Sequence, residues 1–193
     1  MALSKDDILN IFKESGALLE GHFILTSGMH SAKYFQCAKV FQYPWYAESL
    51  CKETAHHFRN EKIDVVVSPA VGGIVFGQEV ARLLQVRSIF AERVDGKMTL
   101  RRGFEIASGE RVLLAEDVTT TGGSVKEVME TLTSQDAEVV AVTAVVDRSA
   151  GKARFGVPYF SLFQMEVQNY DPSDCPMCQS GSQAVKPGSR GLK

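Results

Sequence analysis

The chain is poor in the features that mark special environments. It has four cysteines, only two of them close together, so a disulfide framework is excluded and a reducing, cytoplasmic setting is expected. Long apolar runs are missing as well. The longest, residues 139–146, is interrupted by Thr143 and is too short to span a bilayer, so no membrane partner is expected. Excess charge of one sign is absent. With 21 basic against 23 acidic residues the net charge is −2, which gives no general attraction to nucleic acid, so any anion must be bound locally. The start, MALSKDDIL, turns acidic before an apolar run develops and does not read as a secretory signal. No internal repeat and no second domain are evident.

What is present is ordinary globular material arranged in alternating order. At 193 residues and 45% hydrophobic, the chain is expected to form one α/β domain over residues 1–193. Ser4 with Asp7 resembles a capping box, and Ile8, Ile11 and Phe12 follow at helical spacing up to a stop at Gly16. The segment GHFILTSGMHSAKYFQCAKVF reads as a hairpin outside the main sheet. Residues 1–40 would thus form a hood, either a lid over a pocket or a satellite sheet with no binding role. Pro44 opens a helix to about Arg59, with Trp45, Leu50 and Phe58 as residues to bury. Strands follow at 63–67, 86–92, 111–115 and 138–146, and helices at 74–84 and 125–133. Residues 93–103 read as a polar, cationic loop. The tail from about Asp171 is rich in Pro, Gly and Ser and is expected to be irregular, extended or partly mobile.

Alternating strands and helices imply a central, mostly parallel sheet with helices on both faces, and ligands bind beyond the carboxyl ends of such strands. Three informative loops follow strands and should converge there: SPAVGG at 68–73, TTTGGS at 119–124, and Asp147-Arg148. The stretch VLLAEDVTTTGGS at 112–124 holds the most chemistry. It is a buried strand, two carboxylates (Glu116, Asp117), a small-residue loop and a helix start. Glycines at 122 and 123 let backbone N–H groups wrap an anion at the helix N-terminus. No lysine follows the last glycine, so the P-loop pattern is excluded. Adjacent on a strand, Glu116 and Asp117 point to opposite faces, which suits two separate binding tasks better than one shared proton.

These segments together resemble the type I phosphoribosyltransferases, and the orotate phosphoribosyltransferases in particular. FILTSGMHSAKYF, VVSPAVGGIVFG, AERVDGKMTLRRGF, VLLAEDVTTTGGS and VVDRSAG occur in that family's order over nearly the whole chain. The resemblance implies transfer of ribose 5-phosphate from phosphoribosyl pyrophosphate (PRPP) to orotate, releasing pyrophosphate. It implies that the amides of Thr119, Thr120, Thr121, Gly122, Gly123 and Ser124, with Val118 at the loop's start, hold the 5′-phosphate. Glu116 and Asp117 would contact the ribose hydroxyls, and Asp117 would hold Mg2+, directly or through water. Ala70, Val71 and Gly72 would offer amides to the pyrophosphate. Arg93 and Lys97 would lie on a mobile flap shared across a homodimer, with Lys97 stabilising charge on the leaving group. Arg148, Thr120, Tyr34 and Phe35 would surround orotate, although plain core packing explains Tyr34-Phe35 from pattern alone. Other readings share the motif: transfer to a purine or another base, or a non-catalytic PRPP-sensing regulator.

The chain departs from well-known bacterial members at several positions. Thr26 stands where they carry lysine, Val71-Gly72 where they carry Tyr-Lys, and Met98-Thr99 where a histidine follows the flap lysine. Arg93, Arg101 and Arg102 are the cations available to compensate. Cys175 and Cys178 form a CPMC pair, which is half of a tetrahedral zinc site. Cys37 and Cys51 are too far apart in sequence to complete it, so no zinc is expected. The pair does not open a helix after a strand, so a redox role is not expected either.

Overall fold

A computed structural model describes residues 2–25, 27–165 and 168–187. Thr26, one of the departures noted above, lies outside the described residues, as do 188–193 of the tail. Six strands form the main sheet in the order β5-β4-β3-β6-β7-β8. They are β3 (Val65–Pro69), β4 (Arg87–Val94), β5 (Lys97–Leu100), β6 (Arg111–Thr119), β7 (Glu138–Asp147) and β8 (Tyr159–Gln164). All neighbours pair in parallel except β4 and β5.

Helices cover both faces, as buried parallel strands require. On one side lie α1 (Lys5–Glu14), α3 (Pro44–Phe58) and α4 (Gly73–Leu84), with the short α2 (Ala38–Phe41) leading into α3. On the other lies α5 (Gly123–Thr133), burying Val125, Val128 and Leu132. Strand alternation divides β6 between the two faces. Leu113 and Ala115 join the α1/α3/α4 core, whereas Val112 and Leu114 join the α5 core. The Ser4–Asp7 capping box forms as expected.

A second sheet, β1-β2-β9, makes the hood from β1 (Leu18–Ile24), β2 (His30–Phe35) and the two-residue β9 (Asn169–Tyr170). Phe12 joins the two layers. Its ring meets Phe35 of the hood at 5.0 Å and Phe163 of β8 at 5.5 Å, both edge-on.

The structure corrects four expectations. Residues 93–103 are not simply a loop. Asp95 and Gly96 both take positive φ, the pattern of a tight two-residue hairpin turn, so the chain folds back as the edge strand β5. Trp45 is 60% exposed, because it sits on the outer side of the first turn of α3. The strand β8 was missed. The tail beyond Asp171 is anchored rather than loose: a 3-10 turn at Pro172–Asp174 and α6 (Pro176–Gln179) lead to Val185. That residue accepts a hydrogen bond from Ile24 N–H and donates one to His22 O.

Candidate active site

The three loops expected to converge follow β3, β6 and β7, and all leave the sheet at its carboxyl edge. The first is closed by a direct clash of space. A methyl group on Gly72 would lie 2.5 Å from Asp117 Oδ2, so only glycine lets the loop approach the acid. The Ala70–Val71 peptide is cis. Ala70 N–H donates to Ala91 O at 2.7 Å and is therefore not available to a ligand, which corrects its assignment. Among the described residues no acceptor is found for the N–H groups of Val71 and Gly72, and Val71 is 81% exposed.

The second loop is a cradle of donors. Gly122, in the left-handed region at φ 78°, caps α5, and Phe155 packs where its side chain would be. Among the described residues the N–H groups of Thr120, Thr121, Gly122, Gly123 and Ser124 have no acceptor. They converge on the helix N-terminus, where the dipole favours an anion. Val118 packs its side chain against the core, and Thr119 is buried, its hydroxyl without a partner in hydrogen-bonding geometry among the described residues.

The two acids diverge, as alternation requires. Asp117 lies on the α4 face and accepts Val118 N–H on Oδ1 at 2.9 Å. Glu116 is buried on the opposite face and accepts Asp117 N–H at 3.1 Å. Burial, reinforced by the adjacent Asp117 charge, pushes the Glu116 carboxyl well above the usual carboxylate range. Asp117 is thus the member of the pair suited to a cation. Sequence reasoning missed Cys37, which is buried beneath this pair with its thiol 3.8 Å from Asp117 O. Burial, with the charges of Asp117 and Glu116 behind it, pushes that thiol well up.

The third loop places Arg148. Asp147, fully buried, accepts the N–H groups of Ser149 at 2.7 Å and Gly151 at 3.2 Å, which folds the loop. Arg148 N–H donates to Thr119 O at 2.8 Å, tying this loop to the cradle of open amides. Among the described residues the buried Arg148 Nε has no partner, and burial lowers the pKa of its guanidinium. Tyr34 and Cys37 are close enough to offset part of that shift. Tyr34 is half-buried, but Phe35 is packed against Phe12 in the core and does not face the site, which corrects its assignment.

The hairpin sorts the cations. Met98 is buried against the α5 side, so its partner across the strands, Arg93, faces the same way and pairs with Glu127 of α5 at 2.7 Å. Arg93 is therefore turned away from the Asp117 face, another correction. Arg102 forks onto Glu92 at 2.8 and 2.9 Å. Lys97 and Arg101 are exposed and form no ion pair among the described residues. By alternation Lys97 lies on the Asp117 face, but β5 and β6 are three strand spacings apart, roughly 14 Å.

Comparison with known proteins bears on the same residues. Residues 47–174 match the Phosphoribosyl transferase domain family. The chain is 54% identical over 188 residues to the orotate phosphoribosyltransferase of Caldicellulosiruptor bescii, covering 97% of this chain and 99% of that one. It is 55% identical over 188 residues to the enzyme of that name from Chlorobaculum parvum, covering 97% of each. The solved orotate phosphoribosyltransferase from Aeropyrum pernix shares the fold, with a TM-score of 0.70 at 24% identity over 82% of this chain and 94% of that one. Among the described residues no helix is long and apolar enough to cross a membrane. The chain belongs to the phosphoribosyltransferase family, on its orotate phosphoribosyltransferase branch.

Proposed function

We propose that this protein transfers the 5-phosphoribosyl group from PRPP to orotate in pyrimidine biosynthesis. The observation that carries the reading is a pairing of two unmet demands. Five open amides at the start of α5 need an anion, and beside them the buried Nε of Arg148 needs an acceptor. One substrate supplies a phosphate and the other a carboxylate. The loops bearing these groups are fastened together by the Arg148–Thr119 hydrogen bond, so the two ligands are held side by side.

In the reaction a ring nitrogen of orotate attacks the anomeric carbon of PRPP and gives up its proton to the departing pyrophosphate or to solvent. The bond from that carbon to the pyrophosphate oxygen breaks, and its electron pair leaves with pyrophosphate. The cradle at 120–124 holds the 5′-phosphate, and Asp117 accepts from the ribose hydroxyls. Glu116, whose carboxyl pKa is raised by burial and by the adjacent Asp117 charge, offers the same sugar a second contact. Val71 and Gly72 N–H groups face the departing pyrophosphate. Arg148 forks onto the orotate carboxylate, with Tyr34 and Thr120 beside it. Asp117 also fits Mg2+, because one of its oxygens is engaged by Val118 N–H while the other faces Gly72 and the pyrophosphate side. Magnesium favours such sparse sites, keeping waters and binding through substrate phosphates, and when bound it supplies positive charge to the pyrophosphate.

Lys97 supplies the remaining charge. Its distance from β6 within one chain supports a homodimer in which the β4–β5 hairpin closes on the neighbouring subunit. The same reading expects the protein in the cytoplasm.

The test is the loss of orotate absorbance when protein, PRPP, Mg2+ and orotate are mixed. Turnover of adenine or another base without turnover of orotate would replace this reading with a different transferase. PRPP binding without turnover of any base would leave the non-catalytic regulator.

A further inference from the structure

The CPMC pair finds its other half in the hood. His22, His30, Cys175 and Cys178 bring one ligand atom each to a common point, all within 4.8 Å of one another. Three of the four residues are buried. Cys175 Sγ lies 3.5 Å from His22 Nε2, and Cys178 Sγ lies 3.7 Å from His22 Nε2 and 3.3 Å from His30 Nδ1. With Zn–S near 2.3 Å and Zn–N near 2.0–2.1 Å, a tetrahedral centre has sulfur–nitrogen edges of about 3.5 Å. The observed separations match that edge. His22 Nε2 and His30 Nδ1 are closer, at 2.8 Å, and need to part by roughly half an ångström to reach the nitrogen–nitrogen edge of the same tetrahedron.

We propose that these four side chains bind a structural zinc ion that fastens the C-terminal segment to the hood. The local backbone is built for it. Two residues of β1, Gly21 and His22, oppose one residue of β2, because Glu20 pairs with Lys33 and Phe23 with Ser31. This bulge re-aims His22. Outside the centre, His22 Nδ1 lies 3.1 Å from Ser182 O. Donating there fixes the tautomer and leaves the Nε2 lone pair free for a metal, the usual outer support of a histidine ligand. Cys175 sits at the start of α6 and Cys178 within it, so one short turn delivers both sulfurs. With four protein ligands the site is closed, which suits a structural ion rather than a catalytic one.

The ion would join residues 153 positions apart in a chain of 193 and so close a long loop. It would hold β1 and β2 in place, and β2 carries Tyr34 toward Arg148. The sequence reading expected no zinc because it sought the missing ligands among cysteines. The partners that the structure brings to the pair are two histidines, one on β1 and one on β2.

The test uses the full chain, purified without chelators from cells supplied with zinc, and elemental analysis of the product. One zinc per chain, lost in Cys175→Ser/Cys178→Ser and in His22→Asn, is the expected result. A metal-free chain overturns the proposal, and so does zinc that persists in these variants. If the variants do not fold, the unaltered protein is produced with cobalt instead. Intense thiolate-to-metal absorption with tetrahedral visible bands at one cobalt per chain supports the site. Cobalt bound without those bands overturns it. Neither readout depends on turnover, so the proposal stands or falls apart from the assigned reaction.

Discussion

Gly72 and Asp117 occupy one space: a methyl group on the first would lie 2.5 Å from a carboxylate oxygen of the second. The loop proposed to face pyrophosphate and the acid proposed to face ribose are therefore set against each other by the absence of a side chain. Alanine at 72 must push Asp117 aside or lift the loop. Either movement misplaces a group by about an ångström, which costs on the order of 10²-fold in rate. Gly72→Ala should lower kcat/KM for PRPP by roughly that factor, about 2.7 kcal/mol of transition-state stabilisation. Its thermal midpoint should stay close to the parent's, since Gly72 takes ordinary right-handed helical angles. Steady-state kinetics with a thermal melt decide this, and unchanged kinetics would show that Asp117 is not held for the reaction.

Lys97 and Arg93 lie one turn apart but on opposite faces of the hairpin. Loss of a positioned charge that meets the leaving group costs about 10²-fold or more, so Lys97→Ala should reduce kcat by that amount. Arg93 serves Glu127, an exposed ion pair worth up to about 1 kcal/mol. Arg93→Ala should therefore change kcat by less than about fivefold. The reverse ranking of the two variants would mean that the hairpin turns over in the closed complex.

Glu116 makes a pH prediction whose sign follows from burial. Its folded pKa is raised well above the unfolded value of about 4.3. Its contribution to stability is thus fully present below that unfolded value and is lost as pH rises through the folded one. Glu116→Gln mimics the protonated side chain. It should remove part of the fall in thermal midpoint that the parent shows between weakly acidic and alkaline pH. Midpoints measured across that range in both proteins check the assignment, and parallel curves would show that Glu116 is ionised in the fold.

Much of this was legible in the sequence because it is local. Strand and helix periods reveal the alternating layers, and small residues after strands mark the loops at the carboxyl edge. What was lost depends on directions or on distant pairing. That Ala70 N–H is taken by Ala91 depends on β3 and β4 standing in register. Arg93 turns away because Met98, across the hairpin, is drawn into the core. Phe35 was read with Tyr34 as a pair, although alternation on a strand sends neighbours to opposite sides. The turn residues Gly156 and Pro158 could have signalled β8, whose half-exposed YFSLFQ run has only a weak alternating pattern. Half of the proposed metal centre was visible as CPMC. Its partners lie 153 and 148 residues away, where no spacing rule reaches.

Arg148 is the residue proposed to carry the choice of base, and its geometry allows a sharper test than its removal. Its backbone is fixed by Thr119 and its loop by Asp147, so a substitution at the side chain leaves the cradle for PRPP in place. Lysine at this position keeps the charge but loses the planar fork that meets a carboxylate with two hydrogen bonds. A charge-assisted hydrogen bond contributes about 1.5–3 kcal/mol, so Arg148→Lys should raise KM for orotate roughly 10-fold to 10²-fold while leaving that for PRPP largely unchanged. Arg148→Ala should lose more, again on the orotate side, because the carboxylate then enters a half-buried pocket without a counter-charge. Initial rates with each substrate varied in turn separate the two constants. Equal losses for PRPP and orotate would place Arg148 among the phosphate-binding groups, and the selection of orotate would then have to come from the hood.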